Sequence, residues 1–135
     1  MPLIEWKDTF SVQVRELDMQ HRKLVEMLND LYAAHERGDE QETIGSILRG
    51  LAAYTRVHFA TEERMLARAG YPNLDTHQAE HAAFTRRIGE FLRAFAIGQA
   101  DLTTEVMAFM SDWLVDHILE RDRAYSELLA SKTPV

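Results

Sequence analysis

Apolar residues recur every three to four positions along four long stretches of this chain. The first carries Leu24, Met27, Leu28 and Leu31; the second carries Ile44, Ile47, Leu48 and Leu51. The third carries Phe84, Ile88, Phe91, Leu92 and Phe95; the fourth carries Val106, Met107, Met110, Trp113 and Leu114. That period belongs to one face of a helix, not to the alternation of a strand. Gly38 with Asp39, the run from Gly70 to Asn73, and the run from Gly98 to Asp101 interrupt the pattern and mark three short links. Before the first stretch lies a polar, non-periodic arm of about seventeen residues, a length set by placing the first cap at Asp18. The expected architecture is all-α: an up-down-up-down four-helix bundle with a non-helical N-terminal arm, built as one domain over residues 1–135. Asp18, Asp39, Asn73 or Asp75, and Thr103 or Thr104 are the expected N-caps, with Gly38, Gly70 and Gly98 at helix ends. Gly45, Gly50 and Gly89 fall inside predicted helices, where each costs about 1 kcal/mol against alanine. Close approach of a neighbouring helix is one explanation for them.

Five of the six histidines and two carboxylates fall on these helices in a non-random way. His21 opens the first helix, and His58 with Glu62 (HFATEE) lies late in the second. His77 and His81 (HQAEH) open the third, and His117 with Asp122 (HILERD) closes the fourth. In an up-down-up-down bundle the starts of odd helices meet the ends of even ones, so all seven converge on one layer. At about 100° per residue, His58 and Glu62 share a face, as do His77 and His81, and both faces are the apolar ones. Glu63 is turned about 100° away from Glu62 and is expected to be solvated. Asp122 would lie about 140° from His117 on a regular helix, so a π-bulge or a break after about Ile118 is needed to bring it inward. His35 is expected outside the layer. It sits roughly 21 Å along the helix from His21, in a last turn where the helix dipole favours a cation. Asp18 and His21 form a D-x-x-H that could mimic the Glu-x-x-His of ferritin-like sites, although an N-cap role is favoured for Asp18.

Composition narrows the chemistry. The chain has no cysteine, which excludes disulfides, thiolate metal sites and thiol catalysis and leaves nitrogen and oxygen ligands. Imidazole with carboxylate suits first-row metals such as iron. A net charge of −7 without a basic patch argues against nucleic acid and anionic lipid. No stretch is apolar enough for a membrane span, and MPLIEWKDTF lacks the features of a signal peptide, so a cytoplasmic protein is expected; a monomer is expected as well, although none of these features bears on oligomeric state.

The order H…HFxxEE…HxxxH…WLxxHIxxxD, preceded by DMQH around His21, resembles the hemerythrins, specifically their single-domain bacterial form. The resemblance spans essentially the whole chain, and no ligand position is substituted. It implies that His77, His81 and His117 hold one iron, His21 and His58 the other, and that Glu62 and Asp122 bridge the pair together with an oxo or hydroxo group. Such a ligand set leaves a single open place, on the iron with two histidines, suited to one diatomic ligand. WLxxHI resembles the family's pocket wall, which implies an oxygen pocket at Trp113, Leu114 and Ile118. The implied function is reversible O2 binding by two iron ions cycling between Fe2+ and Fe3+, for carriage, storage or delivery and not for catalysis. The alternatives are an O2 or redox sensor acting through a partner protein, or a di-iron oxidase, peroxidase or nitric-oxide-reducing enzyme.

Overall fold

The computed structural model describes residues 4–98, 102–126, 128 and 129. Four helices form where the apolar period predicts them: α1 at Arg15–Arg37, α2 at Gln41–Ala69, α3 at Leu74–Ala96 and α4 at Leu102–Asp116. Each packs on two neighbours, α1 against α2 and α4, and α3 against α2 and α4, which is the square cross-section of an antiparallel bundle. Gly38 and Gly70 end α1 and α2 in the left-handed region (φ 71° and 72°), where a residue without Cβ carries no steric penalty. Gly45 marks a close approach. A Cβ built there would meet the Phe95 ring of α3 at 3.0 Å, whereas Gly50 and Gly89 face no such restriction.

The start of α3 falls at one of its expected caps, Asn73, whereas the other helix starts differ from theirs. Helix α1 begins four residues earlier than an Asp18 cap would place it, with Val14 in the cap position. Asp18 lies in the first turn, and its carboxylate accepts bonds from the Ser11 hydroxyl (2.6 Å) and the Val12 backbone N–H (2.8 Å). It therefore fastens the arm to α1 and is neither a cap nor a metal ligand mimic. Glu40, not Asp39, occupies the cap position of α2, Asn73 that of α3, and Thr103 and Thr104 lie within α4. The arm contributes to the core: Ile4, Phe10, Val12 and Val14 are buried, and a short 3-10 turn spans Asp8–Phe10. Trp6 packs edge-on to Phe10 with the Arg22 guanidinium 4.8 Å above its ring, which fits a role in packing.

The interior is split into two apolar bodies. The larger runs through the middle of the bundle and includes Leu24, Leu51, Phe59, Phe84 and Leu114. The smaller plugs one end with Val12, Val14, Leu17, Leu66, Tyr125 and Leu129. On every helix the histidines and carboxylates fall between the two: His21 between Leu17 and Leu24, Glu62 between Phe59 and Leu66, His81 before Phe84, and Asp122 between Ile118 and Tyr125. The polar layer is thus sealed from water on both sides.

Candidate metal centre

All seven residues singled out from the sequence meet in that layer, and none is more than 4% exposed. Asp122 reaches it through a π-helical turn at His117–Asp122 that follows α4 directly. The i→i+5 register of such a turn stacks Asp122 over His117, which the 3.6-residue period of α4 does not allow. His35 lies outside the layer, within 3.4 Å of the Thr104 hydroxyl.

The donor atoms form two groups with Glu62 and Asp122 common to both. Glu62, His77, His81, His117 and Asp122 make one; His21, His58, Glu62 and Asp122 make the other. Each carboxylate divides its oxygens between them. Glu62 Oε1 faces His77 Nε2 (2.5 Å) and His81 Nε2 (3.0 Å), while its Oε2 faces His58 Nε2 (3.3 Å) and His21 Nε2 (3.6 Å). Asp122 Oδ1 faces His117 Nε2 (2.7 Å) and His77 Nε2 (3.3 Å), while its Oδ2 faces His21 Nε2 (2.9 Å). The Nε2 atoms of His81 and His117 point at each other across 3.1 Å. Several buried atoms here (His21 Nδ1 and Nε2, His58 Nε2, and both Asp122 oxygens) have no hydrogen-bond partner of good geometry among the described residues. A buried polar group left so costs about 1–3 kcal/mol. Converging donors with orphaned lone pairs, all nitrogen and oxygen, fit a divalent metal of the first transition row.

Without metal, protons must balance two buried carboxylates. Burial disfavours the cation at His21, yet hydrogen bonds and charge from Asp122 and Glu62 outweigh it and raise its pKa to about 9. The same contest takes His77 to about 10 and His117 to about 9. His58 moves the other way, because burial dominates there. Burial also opposes ionisation of Glu62, but the imidazoles of His117, His21, His58 and His77 that face it hold it well below the usual carboxylate range; Asp122 is likewise depressed by His117 and His21 despite burial and the like charge of Glu62.

Four residues around the layer escaped the sequence reading. The Tyr125 hydroxyl, fully buried, donates to Glu62 Oε2 at 2.7 Å. His58 Nδ1–H donates to Gln20 Oε1 at 2.7 Å, and His81 Nδ1–H to Glu63 Oε2 at 2.8 Å. Glu80 Oε2 lies 3.7 Å from His117 Nδ1. Glu63 is therefore not simply solvated. Its position on the flank of α2 brings it to the histidine of the adjoining α3, which an angular reading of one helix cannot reveal.

A small cavity of about 20 Å³ is lined by Leu24, Leu28, Leu51, Thr55, Phe84, Met110, Trp113 and Leu114, two of which, Trp113 and Leu114, are among the residues expected at an oxygen pocket. Trp113 stacks on His117 (centroids 4.2 Å apart, planes 13° apart). Leu24, Thr55, Phe84 and Leu114 stand one turn from His21, His58, His81 and His117, so the cavity lies on the core side of the layer, next to both donor groups. Ile118 is buried in the core but is not part of this lining. Among the described residues no helix is long and apolar enough to cross a membrane.

Comparison with known proteins agrees with this geometry. Residues 12–129 match the family model described as the hemerythrin HHE cation binding domain. The chain is 34% identical over 127 residues to a bacteriohemerythrin of Stenotrophomonas maltophilia, covering 94% of this chain and 82% of that protein. It is 35% identical over 124 residues to that of Clostridium acetobutylicum (89% and 96% covered) and 31% over 132 residues to that of Methylococcus capsulatus (97% and 100% covered). A wild-type hemerythrin crystal structure superposes with a TM-score of 0.89 at 30% identity over 95% of this chain and 98% of that chain. A leucine-to-alanine mutant of hemerythrin superposes with 0.91 at 30% identity over 96% and 99%. The family model, the relatives and the superposed structures lead to one conclusion: the chain belongs to the hemerythrin family.

Proposed function

We propose that this protein binds O2 reversibly at a di-iron centre. In this reading His77, His81 and His117 hold one iron, His21 and His58 hold the other, and Glu62 and Asp122 bridge them. The observation that carries it is the division of each carboxylate's two oxygens between the two donor groups. When bound, the two irons supply the electrons that O2 needs to bind and take them back when it leaves.

The surrounding residues decide whether that exchange stays reversible. The cavity next to the ligand layer is walled by aliphatic and aromatic side chains, with Thr55 the one hydroxyl in its lining. Thr55 donates its proton to the Leu51 carbonyl at 2.8 Å, so it is not directed at the cavity. No lining residue is an acid. A ligand held there meets no group ready to protonate it, and the apolar wall does not stabilise water beside it. That favours release of O2 over its reduction and supports a carrier, store or delivery protein over an oxidase or peroxidase. Histidine-rich ligation points the same way, since ferritin-like enzymes use four carboxylates and two histidines.

Anaerobic iron loading followed by O2 titration tests the proposal. The expected result is two irons per chain and a ligand-to-iron absorption band that rises with O2 and vanishes under vacuum. Continuous O2 consumption in the presence of a reductant, without that band, would transfer the assignment to the oxidase alternative.

A further inference from the structure

The two donor groups differ in what stands behind them. On the three-histidine side, His81 Nδ1–H is hydrogen-bonded to an anionic group, the Glu63 carboxylate (2.8 Å), and a second carboxylate oxygen, from Glu80, lies 3.7 Å from His117 Nδ1. On the two-histidine side, His58 Nδ1–H meets the neutral amide of Gln20 (2.7 Å). The orientation of that amide is fixed. Thr61 donates its hydroxyl proton to the Val57 carbonyl (3.0 Å) and so can only accept from Gln20 Nε2 (3.4 Å), which leaves the Gln20 oxygen facing His58. On the same side, the Tyr125 hydroxyl draws charge from Glu62 Oε2, the oxygen turned toward His21 and His58.

An imidazole that shares its distal proton with a carboxylate is a stronger electron donor to a metal than one backed by an amide. A hydrogen bond donated to a carboxylate oxygen weakens that oxygen as a donor. The three contacts act in one direction. Resting on the di-iron reading above, we infer that Glu63, Gln20 and Tyr125 are positioning residues that make the two metal sites electronically unequal. The three-histidine metal is the easier to oxidise, and the two-histidine metal is the stronger Lewis acid. Gln20 and Glu63 also hold His58 and His81 as the tautomers with Nε2 free to bind metal.

The test compares wild type with Glu63→Gln, Gln20→Glu and Tyr125→Phe, each close in shape to the residue it replaces. Protein loaded anaerobically with ferrous ion is oxidised stepwise with ferricyanide, one electron per ferricyanide reduced to ferrocyanide, and the mixed-valence fraction is followed by absorbance and Mössbauer spectroscopy. Glu63→Gln should raise the first potential, Gln20→Glu and Tyr125→Phe should lower the second, and each should reduce the comproportionation constant by about tenfold. Nitrogen-15 NMR of the metal-free protein supplies a readout independent of iron. Wild type and Glu63→Gln should keep the His81 proton on Nδ1, whereas Glu63→Ala should release it. A wild type that loads fewer than two irons defeats the di-iron reading itself. A wild type that loads two irons, with the separation of potentials unchanged in all three variants or moved in the opposite direction, defeats this inference alone.

Discussion

Removing the metal exposes a pH dependence whose sign follows from the ligand layer. In the metal-free fold His21 and His117 titrate near pH 9 and His77 near pH 10, against 6.5 for a free imidazole. Between those limits the folded chain therefore holds about three protons that the unfolded chain has lost. Stability varies with pH as 2.303RT times the difference in bound protons, unfolded minus folded, so it falls as pH rises. Each proton so held amounts to about 1.4 kcal/mol per pH unit, or a drop in Tm of several degrees per unit. This contribution is complete below pH 6.5 and is lost as pH passes through 9 to 10. His58, depressed by burial, changes stability with pH only below its free value, and the depressed carboxylates Glu62 and Asp122 only below theirs, so neither adds a slope within the window. Metal-loaded protein should lack the slope, because metal has replaced the protons. Thermal melts of stripped and loaded protein at pH 6.5 to 9.5 make the comparison. A metal-free Tm that stays flat or rises between pH 7 and 9 would refute the reasoning.

Other substitutions separate the parts of the site. Glu62→Ala and Asp122→Ala each remove oxygens that face both donor groups, so either should take iron below two per chain; intact di-iron spectra in both would remove the bridging assignment. His35→Ala should leave iron content and the O2 band unchanged, since His35 contacts Thr104 and not the layer; lost iron would show that it supports the site. Leu114→Asn puts a hydratable amide into the cavity wall and should speed autoxidation at full iron content. Large-to-small leucine substitutions cost about 2–5 kcal/mol, so urea unfolding must accompany that measurement, and unchanged autoxidation in a folded variant would discard the role given to dryness.

The fold and the ligand layer were legible because both depend on spacing within single helices. The apolar period places α1 to α4, and the positions of His21, His58, His77 and His117 near alternate helix ends place them at one end of the bundle. Contacts between helices were not legible in the same way. Glu63 is about 100° off the core face of α2, and only the position of α3 makes that direction the one toward His81. Asp18 reads as a cap because the arm before it reads as loop. The burial of Val12 and Val14 starts α1 earlier and turns the Asp18 carboxylate back onto Ser11. Tyr125 is hidden by the change of register after His117. Counted at the period of α4 it has no relation to Glu62, yet it stands three residues beyond Asp122 once the π-turn has turned that residue inward.

That π-turn links the chemistry to the architecture. A π-turn is rare, and it is found mostly where a site requires it. Here it stands in the only helix whose two ligands are five residues apart, and it is held from within by Asp122 against His117, His77 and His21. The segment it redirects carries Tyr125 and Leu129 into the apolar plug with Val12, Val14, Leu17 and Leu66. The same local geometry therefore brings the last carboxylate to the layer and closes the layer against water. A regular helix at this point would turn Asp122 away from its partners and carry Tyr125 away from Glu62. The layer and its dryness then depend on one another: the Asp122 carboxylate shapes the segment that seals it, and the seal preserves the low-polarity surroundings in which that carboxylate meets its histidine partners most strongly.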